Sequence, residues 1–249
     1  MGSRLKSSLG DFGAKRVTGR GNLRINGRVR RDSPSSVFGK IPSLGKVSGP
    51  LLACGVAAPL LALASTLAAM AAYPGFNPAR QYLSELGGAS AGHPLIFNAG
   101  VFVAGVMAAL AGVGFGLTIV ALTRARLVGA LTAVVFLLAG WGLTQSAIYH
   151  WPDKRHLAIN LALGIQLAPL LLLWGLWQLA GLRRLKLFLG LVFAAMGVLT
   201  VLTKHLVLPS LVNDANVGWW ERGYAILLVG WVGVAAFALQ RCLRDAPLP

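Results

Sequence analysis

The sequence predicts an all-α membrane protein, a bundle of six transmembrane helices with both termini in the cytoplasm. Of the 249 residues, 56% are hydrophobic and only 12% are charged, whereas soluble domains carry about 25% charged residues. Apolar runs of spanning length recur along residues 51–240, and basic residues concentrate at alternate connections between them. These observations exclude an ordinary soluble domain, and two cysteines are too few for a secreted disulfide scaffold.

The N-terminal segment, residues 1–49, holds eleven basic and two acidic residues and is rich in Gly and Ser. It has no sustained apolar pattern, so it predicts a disordered cytoplasmic tail rather than a signal peptide. A topology signal, an organellar transit peptide or an upstream start codon is the favoured interpretation of this tail. Contact of its charges with anionic lipid head groups is the alternative. Nucleic acid is not an expected partner, because no aromatic residues interleave with the charges.

Six apolar runs each approach or exceed the roughly 20 residues that a helix needs to cross a bilayer. The predicted spans are Leu51–Tyr73, Leu95–Leu122, Leu127–Tyr149, Leu157–Ala180, Leu187–Leu208 and Gly223–Gln240. They form a predicted transmembrane domain over residues 50–241, followed by a short tail, 242–249. Eighteen Lys and Arg residues fall at the ends that share the N-terminal tail and five at the opposite ends. This bias predicts that both termini are cytoplasmic.

Polar residues inside the spans concentrate toward the predicted outer side, together with all four histidines. Ionisable and amide groups at that depth normally face a bundle interior or a watery cavity. The pattern predicts a polar pocket that opens outward; an ordinary wet interface is the alternative for the loop residues. The predicted pocket-lining residues are Asn98, Gln145, Ser146, His150, His156, Asn160, Gln166, Thr200, Lys204 and His205, and the outer-loop residues are Arg80, Glu85, His93 and Glu221.

Two further patterns concern the outer side and the helix packing. Asn77, Pro78 and Gly87 fit the N-cap, first position and C-terminal stop of a short helix over residues 77–88, which acts as a lid or only as a connector. An outer aromatic belt is predicted from Tyr73, Tyr149, Trp151, Trp219, Trp220 and Tyr224. Gly112 and Gly116 have the spacing of a close helix-packing seam.

Catalytic chemistry is weakly indicated, and the sequence leaves open whether the protein is an enzyme. His156, Asp153 and Ser84 are the candidates for a hydrolase, but no nucleophile elbow accompanies them. His150, Asp153 and His156, with His93 or His205, resemble zinc ligands in type. Their spacing is not that of a known metal motif, so neither a metal nor a cofactor is expected.

The motifs Tyr82-Leu83-Ser84-Glu85-Leu86-Gly87 and His93-Pro94-Leu95-Ile96-Phe97-Asn98-Ala99-Gly100 resemble a prokaryotic membrane family known as domain of unknown function 998. Asp153 with His156, and Glu221 with Arg222, also resemble that family. The resemblance covers about residues 50–240. It implies a six-span fold, a shared polar cluster on the outer face and a multi-pass protein of a prokaryotic plasma membrane.

The function predicted from these patterns is recognition of a lipid or small amphipathic molecule in the outward pocket, within the lipid bilayer. A membrane-embedded hydrolase or lipid-modifying enzyme that uses the outer His and Asp residues is one alternative. A non-catalytic accessory subunit of a membrane complex is the other.

Overall fold

Helices make up the regular secondary structure of residues 42–158, 161–204 and 208–245, which are the residues that the computed structural model describes. The N-terminal tail lies outside these ranges up to residue 41. The elements are α1 (Pro42–Ala71), a 3-10 helix (Leu83–Gly87), α2 (Pro94–Thr123), α3 (Arg126–Ile148), α4 (Lys154–Ala158), α5 (Leu161–Leu176), α6 (Arg183–Lys204) and α7 (Val217–Asp245). Because α1 begins at Pro42, residues 42–49 of the predicted tail are helical.

Five helices in the described ranges are long and apolar enough to cross a membrane. They are α1, α2, α3, α6 and α7, and each overlaps a predicted span. The fourth predicted span, Leu157–Ala180, corresponds to α4 and α5, with residues 159 and 160 outside the described ranges. With 16 residues, α5 is shorter than a full crossing requires. The six-span count and the orientation therefore stay predictions.

The centre of the bundle is α2, which packs against α1 on one side and α3 on the other. Glycines set the distance between α2 and α3. A methyl group at Gly112 would overlap the side chain of Phe136, and one at Gly116 would lie 2.5 Å from the carbonyl oxygen of Gly129. The Gly112–Gly116 seam thus joins two helices of the same chain, which approach closely because glycine has no side chain there.

The buried core is apolar and partly aromatic. Phe136 lies between Phe115 and Trp231, with ring centroids 5.1 and 5.8 Å apart, and all three are almost completely buried. Many large apolar side chains, such as Leu60, Leu127 and Leu187, are instead exposed on the outer surfaces of the helices. Apolar surfaces on both the inside and the outside are expected of helices that lie in lipid.

The bundle has two ends of different charge. One end, here called the basic end, holds the start of α1, the α2–α3 and α5–α6 connections and the end of α7, where Gln240 Nε2 donates to the Gly49 carbonyl at 2.9 Å. Its described charged residues are Lys46, Arg124, Arg126, Arg183, Arg184, Lys186, Arg241, Arg244 and the single acid Asp245. The opposite end, the mixed-charge end, holds Arg80, Glu85, Asp153, Lys154, Arg155, Asp214, Glu221 and Arg222.

Candidate functional site at the mixed-charge end

The α1–α2 loop, residues 72–93, begins with turns, continues into the 3-10 helix and ends in a further turn over residues 88–93. The Asn77 side-chain oxygen accepts the Ala79 N–H at 3.0 Å, and the Asn77 carbonyl accepts the Gln81 N–H at 3.0 Å. Residues 81 and 82 then leave the helical path before the 3-10 helix starts at Leu83. The prediction of one continuous helix over residues 77–88 was therefore wrong.

The reason for this break is Arg222, in the second turn of α7. Its Nη1 donates to the carbonyl oxygens of Pro78 at 2.8 Å and Gln81 at 3.0 Å, and to Gly218 of its own helix at 2.7 Å. The carbonyls of Pro78 and Gln81 point toward Arg222 on α7, so they do not accept the backbone N–H groups that would continue a helix along the loop. The contact with Arg222, which is distant in sequence, therefore determines the loop conformation in place of the helix-capping pattern of Asn77, Pro78 and Gly87.

Arg222 is nearly buried: only 8% of its surface is exposed. Its guanidinium carbon lies 5.1 Å from the centre of the Phe76 ring, a distance typical of a cation–π contact. Within the described part of the chain, its Nε and Nη2 have no hydrogen-bond partner. Arg222 thus combines a buried positive charge with two unused donors on one edge.

Two other residues of α7 fasten the loop beside Arg222. The Gly218 N–H donates to the Ala79 carbonyl at 2.8 Å, and the Glu221 carboxylate accepts the Leu83 N–H at 2.7 Å. A methyl group at Gly218 would lie 2.5 to 2.8 Å from the carbonyl oxygens of Pro78, Ala79 and Gln81. Only glycine lets the helix approach the loop this closely.

Glu85 organises the loop from within. Its carboxylate accepts the Tyr82 N–H at 2.8 Å and the Gln81 side-chain amide at 3.0 Å. The Gln81 side-chain oxygen in turn accepts the Asn77 N–H at 2.7 Å. Partial burial raises the pKa of the Tyr82 hydroxyl, and the nearby carboxylates of Glu221, Asp214 and Glu85 raise it further.

Of the other predicted residues near this loop, Asn98 contacts it directly. Its Nδ2 donates to the Gly87 carbonyl at 2.9 Å, which ties the 3-10 helix to the start of α2. Arg80 and His93 are exposed. Ser84 is partly buried on the 3-10 helix.

A second polar cluster joins three helices in the bundle interior. Gln166 of α5 donates through Nε2 to the Thr200 hydroxyl of α6 and, at 3.1 Å, to the Tyr224 hydroxyl of α7. The hydroxyl oxygens of Thr200 and Tyr224 are 3.1 Å apart, and the Thr200 hydroxyl also bonds the Met196 carbonyl. Sequence analysis placed Tyr224 in an interfacial belt, but the ring is 8% exposed and its hydroxyl belongs to this cluster.

The candidate catalytic residues after α3 are engaged elsewhere. His156 Nδ1 lies 3.1 Å from the Ser146 carbonyl and 2.9 Å from the Tyr149 carbonyl, so His156 covers the C-terminus of α3. Asp153 forms an exposed ion pair with Arg155 at 2.7 Å. The Arg155 hydrogen bonds lower the pKa of the Asp153 carboxyl to about 2.

Those remaining predicted residues that the structure describes do not extend either cluster. His150 is exposed, Gln145 is partly buried, and the Ser146 hydroxyl bonds its own helix at Leu143. Asn160, His205 and the side chain of Lys204 lie outside the described residues. In the described ranges, no three His, Cys, Asp or Glu side chains come together as a metal site.

These features define a multi-pass α-helical membrane protein. At its mixed-charge end, the hydrogen bonds from Gly218, Glu221 and Arg222, here called the clasp, hold the α1–α2 loop against α7. The polar cluster of Gln166, Thr200 and Tyr224 lies inside the bundle. A family match over residues 56–238 identifies the family: the chain belongs to the proteins of unknown function described as DUF998. No curated protein and no solved structure gives a significant match.

Proposed function

We propose that the protein binds the anionic head group of an amphiphile, a carboxylate or a phosphate, at the mixed-charge end, with Arg222 as the central residue. The observation that carries this proposal is the pair of unused donors, Nε and Nη2, on a guanidinium that is nearly buried. A buried charge with unsatisfied donors is costly unless a partner compensates it.

The geometry of the donors favours an anion. Nε and Nη2 form one edge of the planar guanidinium, and their parallel N–H bonds match two oxygens of a carboxylate or phosphate. With the loop closed, the two N–H bonds of Nη1 are shared among three carbonyls, which orient that edge; of the three, only the Gly218 carbonyl lies on α7 and stays beside Nη1 when the loop opens. Glu221 and Glu85 lie close enough to interact electrostatically with Arg222, but Glu221 accepts the Leu83 N–H and Glu85 accepts from Tyr82 and Gln81, so neither carboxylate occupies Nε or Nη2.

Entry to this site requires the loop to move, since neither unused nitrogen is exposed to solvent. The loop is held by a few hydrogen bonds, from Gly218, Glu221 and Arg222 of α7 and from Asn98 of α2, and these are the bonds that its displacement breaks. The α1–α2 loop is then a lid, and the apolar surfaces of the surrounding helices accommodate the tail of the amphiphile.

The test is thermal stabilisation of the purified protein by dodecyl phosphate, compared with dodecyl maltoside, which has the same chain and a neutral head. We expect saturable stabilisation by dodecyl phosphate in the wild type, weaker stabilisation in Arg222→Lys, and none in Arg222→Gln. Lys keeps the charge but not the bidentate edge, and it serves if the Gln variant does not fold. Arg155→Gln, an exposed arginine at the same end, is the control. Equal stabilisation of Arg222→Lys and the wild type would refute the proposal.

The geometry favours binding over hydrolysis. His156 Nδ1 faces two carbonyls and Asp153 is paired with Arg155, so neither is directed at Ser84 by any described contact. The role of an accessory subunit predicts instead that a partner co-purifies and that Arg222 variants leave its activity unchanged.

A further inference from the structure

At the basic end, a groove of about 650 Å³ lies between the last turn of α5 and the first two turns of α6. Ligand sites for small molecules span roughly 300–1,000 Å³, so its size is that of a binding site. Its walls include Leu173 and Trp177 on the α5 side and Arg183, Lys186 and Leu187 on α6. It lies at the opposite end of the bundle from the clasped loop.

The charge of this groove is wholly positive. Residues 154–213, which include both helices, contain no Asp or Glu. Lys186 Nζ donates to the carbonyls of Trp177 and Leu179, both at 2.7 Å, and its ammonium group has a third N–H to offer. Arg183 is exposed and, among the described residues, bonds no carboxylate. The groove therefore presents two cations that no acid on either helix neutralises.

The groove changes from charged to apolar along one face of α6. Arg183, Lys186 and Leu187, followed by Gly190 and Leu191, are three or four residues apart and share that face. Leu187 and Leu191 are more than 60% exposed. The stripe from Arg183 to Leu191 is about 12 Å long at 1.5 Å per residue. Gly190 leaves open space near the apolar end of the stripe, because a methyl group there would meet nothing within 4 Å.

The geometry points to an anionic phospholipid as the occupant of this groove, with its phosphate at Arg183 and Lys186 and an acyl chain along Leu187 and Leu191. Charge complementarity selects a negative head group, and the exposed apolar stripe selects a chain that follows the helix. Trp177, which is 64% exposed beside Lys186, fits the interfacial depth where the two parts of a lipid meet.

The test is native mass spectrometry of the full chain, after incubation with equal dioleoyl phosphatidylglycerol and dioleoyl phosphatidylcholine. We expect the wild type to retain phosphatidylglycerol in preference, and Arg183→Gln to lower that preference about fivefold, the loss expected for one basic contact. Gly190→Phe fills the groove and should abolish retention. Two controls should behave as the wild type: Gly197→Phe, at another open glycine of α6, and Arg244→Gln, an exposed arginine at the same end.

Three outcomes would overturn the inference. One is an equal loss in Arg244→Gln and Arg183→Gln, which would mean general surface charge. Another is wild-type retention in Gly190→Phe, and the third is an equal loss in Gly197→Phe. Because phosphatidylglycerol is itself an anionic amphiphile, the series is repeated in Arg222→Gln, where the retention that depends on Arg183 and Gly190 should persist. The head-group proposal and this one can therefore fail separately.

Discussion

Replacement of Gly218 by alanine is the sharpest test of how α7 holds the α1–α2 loop. The added methyl group would lie 2.5 to 2.8 Å from three carbonyl oxygens, all of them backbone atoms that cannot rotate aside. The loop must retreat, which strains the 2.8 Å bond from the Gly218 N–H to Ala79 and the bonds from Arg222. The three carbonyl oxygens that the methyl group approaches are the same ones that accept from Gly218 and Arg222. One substitution therefore weakens all of these hydrogen bonds.

The magnitude follows from two opposing effects. Overpacking costs about 1–3 kcal/mol, and the loss of one backbone hydrogen bond adds about 1 kcal/mol. Alanine recovers up to about 1 kcal/mol through its better helix propensity. We therefore expect Gly218→Ala to lower the free energy of unfolding by about 1–4 kcal/mol.

The matched control is Gly223→Ala on the same helix, where a methyl group meets nothing within 4 Å. It should leave the free energy of unfolding unchanged or raise it by up to about 1 kcal/mol. Unfolding in mixed micelles, followed by circular dichroism, measures both variants, and hydrogen exchange of the loop amides measures the local effect. Equal stability of the two variants, with unchanged exchange in the loop, would refute the close-approach argument.

Three other predictions follow from described contacts. Tyr224→Phe removes the hydroxyl from the cluster between α5, α6 and α7. It should lower the free energy of unfolding, measured in mixed micelles, by about 0.5–1.5 kcal/mol. An unchanged free energy of unfolding would mean that the hydrogen bonds of this hydroxyl do not stabilise the fold. Gly112→Leu should prevent recovery of folded protein in size-exclusion chromatography, because the side chain would overlap Phe136. The Asp153 carboxyl should titrate near pH 2 in carbon-13 NMR and return toward its ordinary pKa of 3.8 in Arg155→Gln. Its small stabilising effect should be present above about pH 4 and disappear as the pH falls toward 2, since a lowered carboxyl pKa favours the folded state only where the group is ionised.

The helices at the centre of the bundle could be predicted closely from hydropathy. The predicted span Leu95–Leu122 lies within α2, Pro94–Thr123, and Leu127–Tyr149 almost coincides with α3, Arg126–Ile148. Arg124 and Arg126 interrupt the apolar sequence between these two spans and leave few alternatives for the end of α2 and the start of α3, because a charge is costly in hydrocarbon. Hydropathy placed the start of the fourth span at Leu157, which lies in α4, whereas α5 begins at Leu161 and residues 159 and 160 lie outside the described ranges.

The clasp could not be predicted, because its partners are far apart in the chain. The Pro78 carbonyl and Arg222 are separated by 144 positions, and nothing local to either residue reveals the pairing. The available signal was the position of Arg222: a charged residue within the first turns of an apolar helix needs a partner. Tyr224 was missed for a related reason, since its ring is typical of a membrane interface while its hydroxyl serves a buried cluster.

The short connection between α2 and α3 has a consequence for biogenesis. Only Arg124 and Ala125 separate the two helices, and their glycine-lined contact needs no third element. With so short a connection, α2 and α3 are neighbours as soon as both have been synthesised, so this hairpin can pair before α5, α6 and α7 are made, and those helices can then pack against it.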